Sequence, residues 1–349
     1  MNKNKSSLKR YFLLLLVLLV IYSSWSLFVS KNFVLHSDSD SGTEIRFEIE
    51  DNSTLENIIT ILKNKGRISH VWSFEFMAKI KRYDNNIQSG IVTLKGDYTN
   101  NELINQLRNP NRKIINLQIP ENVRLIENMI TILEDSIGFE KGELKSYLDT
   151  SSFLSDNNLT IETLSSLFIP NTYQIYDNIS VSSFLKRIKN EYNVFWNKER
   201  ILLCNDLGIT KIEVSILASI VEQEQDKKID ERPKIARLYL NRLNNPSLFP
   251  YLQADPTVKF ANKDFGIKQL LNKHTRIDNP YNTYKNKGLP PGPICIPSIH
   301  AIDAVLNASK HNFYFMCAGS NGDGYHEFTS TNSQHNKKKV AYKKYQGLK

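Results

Sequence analysis

The stretch Ile212–Pro256, IEVSILASIVEQEQDKKIDERPKIARLYLNRLNNPSLFPYLQADP, constrains the fold more than any other part of this chain. Leu217, Ile220, Val221 and Glu224 recur at three- and four-residue spacing, which predicts a helix over Glu213–Gln225. Each residue turns a helix by about 100°, so Glu222 and Glu224 lie about 200° apart and face nearly opposite ways. Glu222 continues the small, partly polar side of Ser215, Ala218 and Ser219, whereas Glu224 continues the apolar side behind Leu217, Ile220 and Val221. A carboxylate running off an apolar stripe loses hydration and its pKa rises. General acid catalysis near neutral pH needs such a proton-loaded carboxyl. Spacing alone leaves the plainer alternative open, that both are solvated glutamates in the last turns of an ordinary helix.

A length of 349 residues suits two or three domains, and 40% hydrophobic with 23% charged residues describes a globular chain, not a disordered one. The net charge of +9 gathers at the ends, in Lys3, Lys5, Lys9 and Arg10 and in Lys337, Lys338, Lys339, Lys343 and Lys344. Between them the chain is close to balanced, with no basic stripe interleaved with aromatics, so no nucleic-acid partner is expected. Tyr11–Val29, YFLLLLVLLVIYSSWSLFV, carries no charge and follows the basic segment. It predicts an uncleaved membrane-spanning helix at 11–29, with a cytoplasmic tail at 1–10 and an exported remainder. Against a cleaved signal peptide, the run lacks an A-x-A site and closes with Trp25 and Phe28. The three cysteines, Cys204, Cys295 and Cys317, are odd in number and widely spaced, which gives neither a disulfide framework nor a metal-ligand pattern.

After a polar linker at 30–42, Thr43–Glu50 alternates as a strand, and Asp51–Thr54 supplies a turn and a helix cap for Leu55–Lys65. Val71–Lys81 reads as a helix, Ile91–Leu94 as a strand, Asn100–Arg108 as a helix capped by Thr99, and Arg112–Ile119 as a strand. Glu121–Leu148 is mostly helical in pattern, Leu164–Tyr176 is a Pro-punctuated aromatic segment, and Ser182–Leu207 reads as one long helix. Arg232–Leu243 is a further helix with Pro233 near its start. The chain becomes irregular after Pro256, and Tyr281–Pro297, YNTYKNKGLPPGPICIP, reads as a stiff loop. His300–Asn307 follows as a short helix, then Phe313–Cys317 and Tyr325–Thr329 as paired strands. The expected class is α+β: one transmembrane helix, a small α+β module at 43–119 and a larger mixed domain at 120–349. Stiff aromatic loops beside a Glu-bearing helix suit an extended sugar ligand, since tyrosine rings stack on sugar faces and amides bond hydroxyls. The same residues would also pack an ordinary loop-rich core.

Five segments occur in one order: SIVEQE (Ser219–Glu224), ERPKIARLYLNRL (Glu231–Leu243), LQADPTV (Leu252–Val258), YNTY with GLPPGPI (Tyr281–Ile294), and HEFTSTNSQHN (His326–Asn336). Together they resemble the YceG-like endolytic murein transglycosylase family. FIPNTYQIY (Phe168–Tyr176) and the anchor-plus-module layout extend the resemblance over most of the chain, with 43–119 similar to a LysM module. The resemblance implies cleavage of the β-1,4 bond between N-acetylmuramic acid and N-acetylglucosamine within nascent glycan strands, leaving 1,6-anhydro-muramoyl ends. The matching catalytic position is Glu224. Three family positions differ here. The usual Glu-Gly near position 120 is Glu121-Asn122, Phe-Pro-Asp-Thr-Tyr is Ile-Pro-Asn-Thr-Tyr, and Asn-Pro-Gly is Ile296-Pro297-Ser298.

A transglycosylase can run on one carboxyl, Glu224, serving first as acid and then as base. Glu222 and Asp255 are the possible second catalytic carboxylates, and a retaining hydrolase would need the two groups about 5 Å apart. Asn241, Arg242, Gln253, Asp255, Thr257, Tyr281, Asn282, Tyr284 and His326 are candidate substrate-binding residues. His326 and His335 match no zinc spacing, so no metal and no cofactor are expected. The expected partners are peptidoglycan strands and, through the family's role in ending strand growth, a peptidoglycan synthase or division protein. The expected location is the inner membrane with the catalytic part outside the cytoplasm. A membrane-anchored, non-catalytic peptidoglycan-binding scaffold is the competing class.

Overall fold

Among the described residues the strands form three two-stranded sheets, while helices make up most of the rest. The computed structural model describes residues 3–28, 45–50, 52–68, 70–95, 98–108 and 114–347, with the side chains of the first stretch described over 11–23. The fold is mixed α+β. The linker expected at 30–42 lies outside the described residues, as do Thr43, Glu44, Asp51, Arg112 and Lys113 at the edges of expected elements. Helix α1 is Lys3–Phe28, and its side chains from Tyr11 to Tyr22 are exposed. Among the described residues no helix is long and apolar enough to cross a membrane. The side chains of α1 are described over fewer residues than the ~20 a span requires.

Two compact units are built from the chain, Met1–Ile115 with Gln174–Leu185, and Asn116–Tyr173 with Lys186–Lys349. In the first, β1 (Ile45–Ile49) pairs antiparallel with β2 (Gly90–Leu94), placing Phe47 opposite Val92. Helices α2 (Leu55–Asn64), α3 (Val71–Ile80) and α4 (Asn100–Arg108) belong to the same unit. Ile49, Ile58, Leu62, Phe74, Leu94 and Ile104 are fully buried in its core. Burying each such side chain contributes about 2 kcal/mol. The expected caps are in place: the Thr54 hydroxyl accepts from the Asn57 N–H, and that of Thr99 from the Glu102 N–H. The returning segment joins this sheet through the Ile91 N–H, which donates to the Asn178 carbonyl at 3.0 Å.

The second unit holds the Glu-bearing helix. Strand β3 (Ile114–Ile119) pairs with β4 (Asn171–Tyr176), which occupies the end of the aromatic segment. The stretch expected to be mostly helical, Glu121–Leu148, holds two helices, α5 (Ile126–Ile137) and α6 (Glu143–Thr150). Gly138 ends the first at φ +86°, and the buried Glu134 carboxylate accepts the Gly142 and Leu144 N–H groups that open the second. After the four-residue α7 (Phe153–Asp156), the expected long helix at Ser182–Leu207 is likewise two, α8 (Val181–Phe195) and α9 (Lys198–Leu207). Trp196 is buried at the break and Asn197 caps the restart by accepting from the Arg200 N–H.

Helix α10 (Lys211–Glu224) packs against α9, α11 (Arg232–Leu243), α12 (Asp255–Ala261) and α14 (Ile299–Leu306), so it is the central rod of this unit. Thr210 and Glu213 close its start with reciprocal hydrogen bonds. The two-faced reading of α10 is corrected: every residue from Val214 to Glu222 is buried, because helices cover it on all sides. Its serines survive burial by bonding locally, Ser219 Oγ donating to the Ile216 carbonyl and accepting the Ile294 N–H. Two further helices stand where no helix was expected, α12 and the C-terminal α15 (Asn332–Tyr345). The four-residue α13 (Asn272–Thr275) lies between α12 and α14. Strand β5 (Phe315–Ala318) pairs antiparallel with β6 (His326–Thr329), as the sequence pattern predicts.

The loop Tyr281–Pro297 is pinned by a close approach. A Cβ at Gly292 would sit 1.9 Å from the Glu162 carbonyl oxygen, so only glycine fits there. Two of the three departures from the family pattern have local explanations. Asn122 takes a left-handed φ of +63°, a conformation asparagine tolerates in place of glycine. Ser298 caps α14 by accepting the Ala301 N–H.

Candidate active site

Glu224 is the last residue of α10 and is only partly buried, at the point where the helix leaves its packed surroundings. The Tyr239 hydroxyl of α11 donates to its Oε1 at 2.5 Å. Burial pushes the Glu224 carboxyl from 4.5 up to about 7; the charge of Asp255 adds to this, while the Tyr239 bond and the charges of His326 and Arg242 pull the other way. Tyr239 is itself raised well above 10 by burial and then by the Glu224 charge, so it stays a proton donor. Tyr239 takes Oε1, and among the described residues no hydrogen bond reaches Oε2.

Glu222 stands in a different environment. It is 5% exposed, its Oε2 accepts the Ser298 N–H at 2.8 Å, and its Oε1 lies 3.4 Å from the Arg232 guanidinium. Arg232 also donates to the Gln225 carbonyl and to Ser298 Oγ, so this buried pair ties α10 to the starts of α11 and α14. Burial therefore ranks the two glutamates opposite to the apolar-stripe expectation. Partnering separates them: Glu222 is matched by a cation, and Glu224 is matched by a phenol.

Asp255 opens α12, is exposed, and accepts the Tyr284 hydroxyl at 2.6 Å. Tyr284 is raised far above its ordinary range by burial and by the charges of Asp255 and Glu224. Gln253 is exposed between buried Leu252 and Ala254, at a left-handed φ of +50°. His326 begins β6, and buried Glu231 grips it twice, accepting its backbone N–H at 2.7 Å and bonding Nδ1 at 2.8 Å. Burial alone would lower the His326 pKa, but the Glu231 bond and charge, with the charge of Glu224, raise it. Burial would likewise raise Glu231, yet its bonds from His326 and Gln225 hold it below the usual carboxylate range.

Most of the remaining candidates bond within the protein. Asn241 donates to the His311 and Phe313 carbonyls. Arg242 donates to the Leu252 and Tyr314 carbonyls. Thr257 and Thr283 share a buried 2.7 Å hydroxyl contact, and Asn282 donates to the Thr275 and Ile277 carbonyls. Tyr281 packs on Phe260, with ring centroids 4.5 Å apart, and burial pushes its phenol up to about 12. Asn241, Arg242, Thr257 and Asn282 are thus engaged by the protein itself, and Tyr281 is held by ring packing. His335 stacks on Phe315, and burial, then the charges of Lys339 and Arg242, lower its pKa. Cys295 is pushed up to about 12 by burial and by Glu222, so it is a thiol, not a nucleophile. Among the described residues no three His, Cys, Asp or Glu side chains are placed to hold a metal ion.

Three residues here escaped sequence reasoning: Tyr239, Glu231 and Gln225, whose Nε2 donates to Glu231 Oε2 at 2.7 Å. A signal for Tyr239 existed. It shares the periodic face of Ile235, Leu238 and Arg242, all but the arginine apolar, which should meet α10.

The arrangement defines a candidate acid–base site: one half-open carboxyl poised near neutrality, a tyrosine donor behind it, and one exposed carboxylate nearby. A family profile described as the YceG-like family matches residues 47–341, and the chain belongs to that family. It is 28% identical to an endolytic murein transglycosylase of Bacillus subtilis, over 89% of this chain and 88% of that protein. An endolytic murein transglycosylase of Streptococcus pneumoniae serotype 2 is 26% identical, over 92% of this chain; the chain spans 63% of that relative's length. The crystal structure of a YceG-like protein from Listeria monocytogenes superposes with a TM-score of 0.51 at 25% identity, covering 85% of this chain and 99% of that one.

Proposed function

We propose that this chain is an endolytic lytic transglycosylase acting on peptidoglycan, with Glu224 as its single acid and base. The observation that carries the reading is the Glu224 carboxyl, pushed by burial up to about 7 while it holds a hydrogen bond from Tyr239. Protonated Glu224 gives its proton to the oxygen of the β-1,4 bond between N-acetylmuramic acid and N-acetylglucosamine as the muramoyl C1–O bond breaks. The resulting carboxylate takes the proton from the muramoyl C6 hydroxyl as that oxygen bonds to C1. One C–O bond breaks and one forms, no water is consumed, and Glu224 ends protonated. Tyr239 supports the anionic stage, because its donated bond favours the charged carboxylate. Gln253, Asp255, Tyr284 and His326 offer groups to the glycan, while Asn241, Arg242, Thr257, Tyr281 and Asn282 hold the walls.

Asp255 supports one other reading, because its charge reaches Glu224. A hydrolase would use the pair to admit water. Mass spectrometry of fragments released from uncrosslinked nascent glycan separates the two. Fragments lighter by one water than reducing-end muramic acid, and absent with Glu224→Gln, are expected. Reducing ends would assign the hydrolase, and no cleavage by the wild-type chain would leave the non-catalytic scaffold.

The same reading takes the uncharged Tyr11–Val29 run as a membrane anchor that keeps 1–10 in the cytoplasm and the rest outside, with a LysM-like module at 43–119 ahead of a catalytic domain at 120–349. A synthase extending the same strands is the natural partner. Protease added to intact spheroplasts should digest the chain from outside; full protection would overturn this placement.

A further inference from the structure

Six non-glycine residues take a left-handed φ among the described residues, namely Asn52, Arg82, Asn122, Asn158, Gln253 and Lys263. Three are asparagines, the residue that best tolerates that region. Arg82 and Lys263 each follow a helix C-cap, where a left-handed residue commonly ends the helix. Gln253 is neither, and it is two residues from Asp255, whose charge reaches Glu224.

The surroundings force that backbone. The Leu252 carbonyl accepts from Arg242, the Gln253 N–H donates to the Thr283 carbonyl at 3.1 Å, and the Ala254 N–H donates to Thr283 Oγ1 at 3.0 Å. Leu252 and Ala254 are 1% and 0% exposed, so the loop is anchored on both sides of a single outward residue. The side-chain amide of Gln253 bonds to nothing among the described residues, and its exposure leaves it open to a ligand. A conformation in which glycine would be unstrained is thus filled by a residue whose side chain does nothing for the fold. Strain of this kind persists where function uses it.

We propose that Gln253 is a specificity-determining residue whose amide pairs with an N-acetyl group of the glycan beside the Glu224 site. The chemistry is complementary: Nε2 donates to the acetamido carbonyl, and Oε1 accepts the acetamido N–H. This rests on the reading of the chain as a glycan-cleaving enzyme. It adds a substrate requirement, that the strand be N-acetylated at the sugar Gln253 touches.

The test compares the full-length chain with Gln253→Gly on N-acetylated strands and on the same strands after N-deacetylation, with thermal unfolding of both proteins. Gln253→Gly should lower kcat/KM on acetylated strands roughly tenfold. It should shrink the preference for acetylated over deacetylated strands by about the same factor, while the thermal midpoint stays or rises as strain is relieved. A preference equal to wild type overturns the proposal and leaves the transglycosylase reading standing. A lowered midpoint overturns it too, since the side chain would then be holding the loop. Failure of the wild-type chain to cut either strand removes both readings.

Discussion

Tyr239 Oη lies 2.5 Å from Glu224 Oε1, and the two groups come from the facing helices α10 and α11. The tyrosine keeps its proton near neutral pH, so it can donate to the carboxylate. Glu224 is thereby held between two influences, burial that favours the acid and a donor that favours the carboxylate.

Replacing Glu224 by Gln should lower the rate of fragment release by about two to four orders of magnitude, the usual share of a general acid–base group. The same change should stabilise the fold at high pH. A carboxyl whose folded pKa is about 7 and whose unfolded value is near 4.5 binds its proton more tightly when folded. It costs nothing below pH 4.5, costs more as pH rises toward 7, and above that costs a few kcal/mol, at about 1.4 kcal/mol per unit. Thermal midpoints at pH 4 and pH 8 should therefore converge at the lower pH and separate, mutant higher, at the upper one. A mutant midpoint below wild type at pH 8 would refute a desolvated acid at this position.

Tyr239→Phe removes the donor that favours the Glu224 carboxylate, so the carboxyl pKa should rise further. The alkaline limb of the pH–activity profile, where the acid is lost, should move up by roughly one to two units, the worth of a hydrogen bond to a charged group. Activity at the optimum should fall as well, since the anionic stage loses support. A limb that stays in place would show that Glu224 and Tyr239 are uncoupled in solution.

The sequence was informative where local rules decide structure. Thr54 and Thr99 were legible as caps, and β5 and β6 as partners, because capping and alternation need only neighbours in sequence. Ser182–Leu207 reads as one long helix, and Glu121–Leu148 as mostly helical with no break placed in it, because apolar periodicity continues across the breaks. The breaks come from Gly138 in a left-handed turn, and from Trp196 buried with Asn197 capping the restart. The spacing puts Glu222 and Glu224 on opposite sides of a helix but ranks their burial the wrong way round, since neighbouring helices cover the small-residue side of α10 as well and Glu224 ends the helix. What separates them is Arg232 beside one and Tyr239 beside the other, and a partner from a different helix leaves no trace in the spacing of α10. Asn241 and Arg242 are candidates for their polar groups, but the fold uses those groups on the carbonyls of His311, Phe313, Tyr314 and Leu252.

Glu222→Gln should behave as a stability mutant. It leaves the Arg232 guanidinium buried without its counter-charge, which costs about 3–5 kcal/mol. In the fraction that remains folded, the shape of the pH–activity profile should match wild type, because the proposed mechanism puts the exchanging proton on Glu224. Chemical denaturation and a pH profile on the same preparation separate these effects. A normal midpoint with lost cleavage would move the catalytic assignment from Glu224 to Glu222.

His326 and Glu231 should tune Glu224 from the other side. The groups whose charges act on the Glu224 carboxyl are Asp255, which raises it, and His326 and Arg242, which lower it. Glu231 keeps His326 inclined to carry a proton, through bonds of 2.7 Å from its N–H and 2.8 Å to its Nδ1. Glu231→Gln removes that charge, so His326 loses its proton at lower pH and stops opposing the burial of Glu224. His326→Gln removes the imidazolium outright. Both variants should move the alkaline limb of activity to higher pH, in the same direction as Tyr239→Phe, and the double variant should move it no further than His326→Gln alone. Glu231→Gln should also lower the thermal midpoint, because a buried acceptor serving His326 and Gln225 is weakened. If instead the limb moves to lower pH in either single variant, the imidazole acts on the glycan directly and its charge is not what sets the acid.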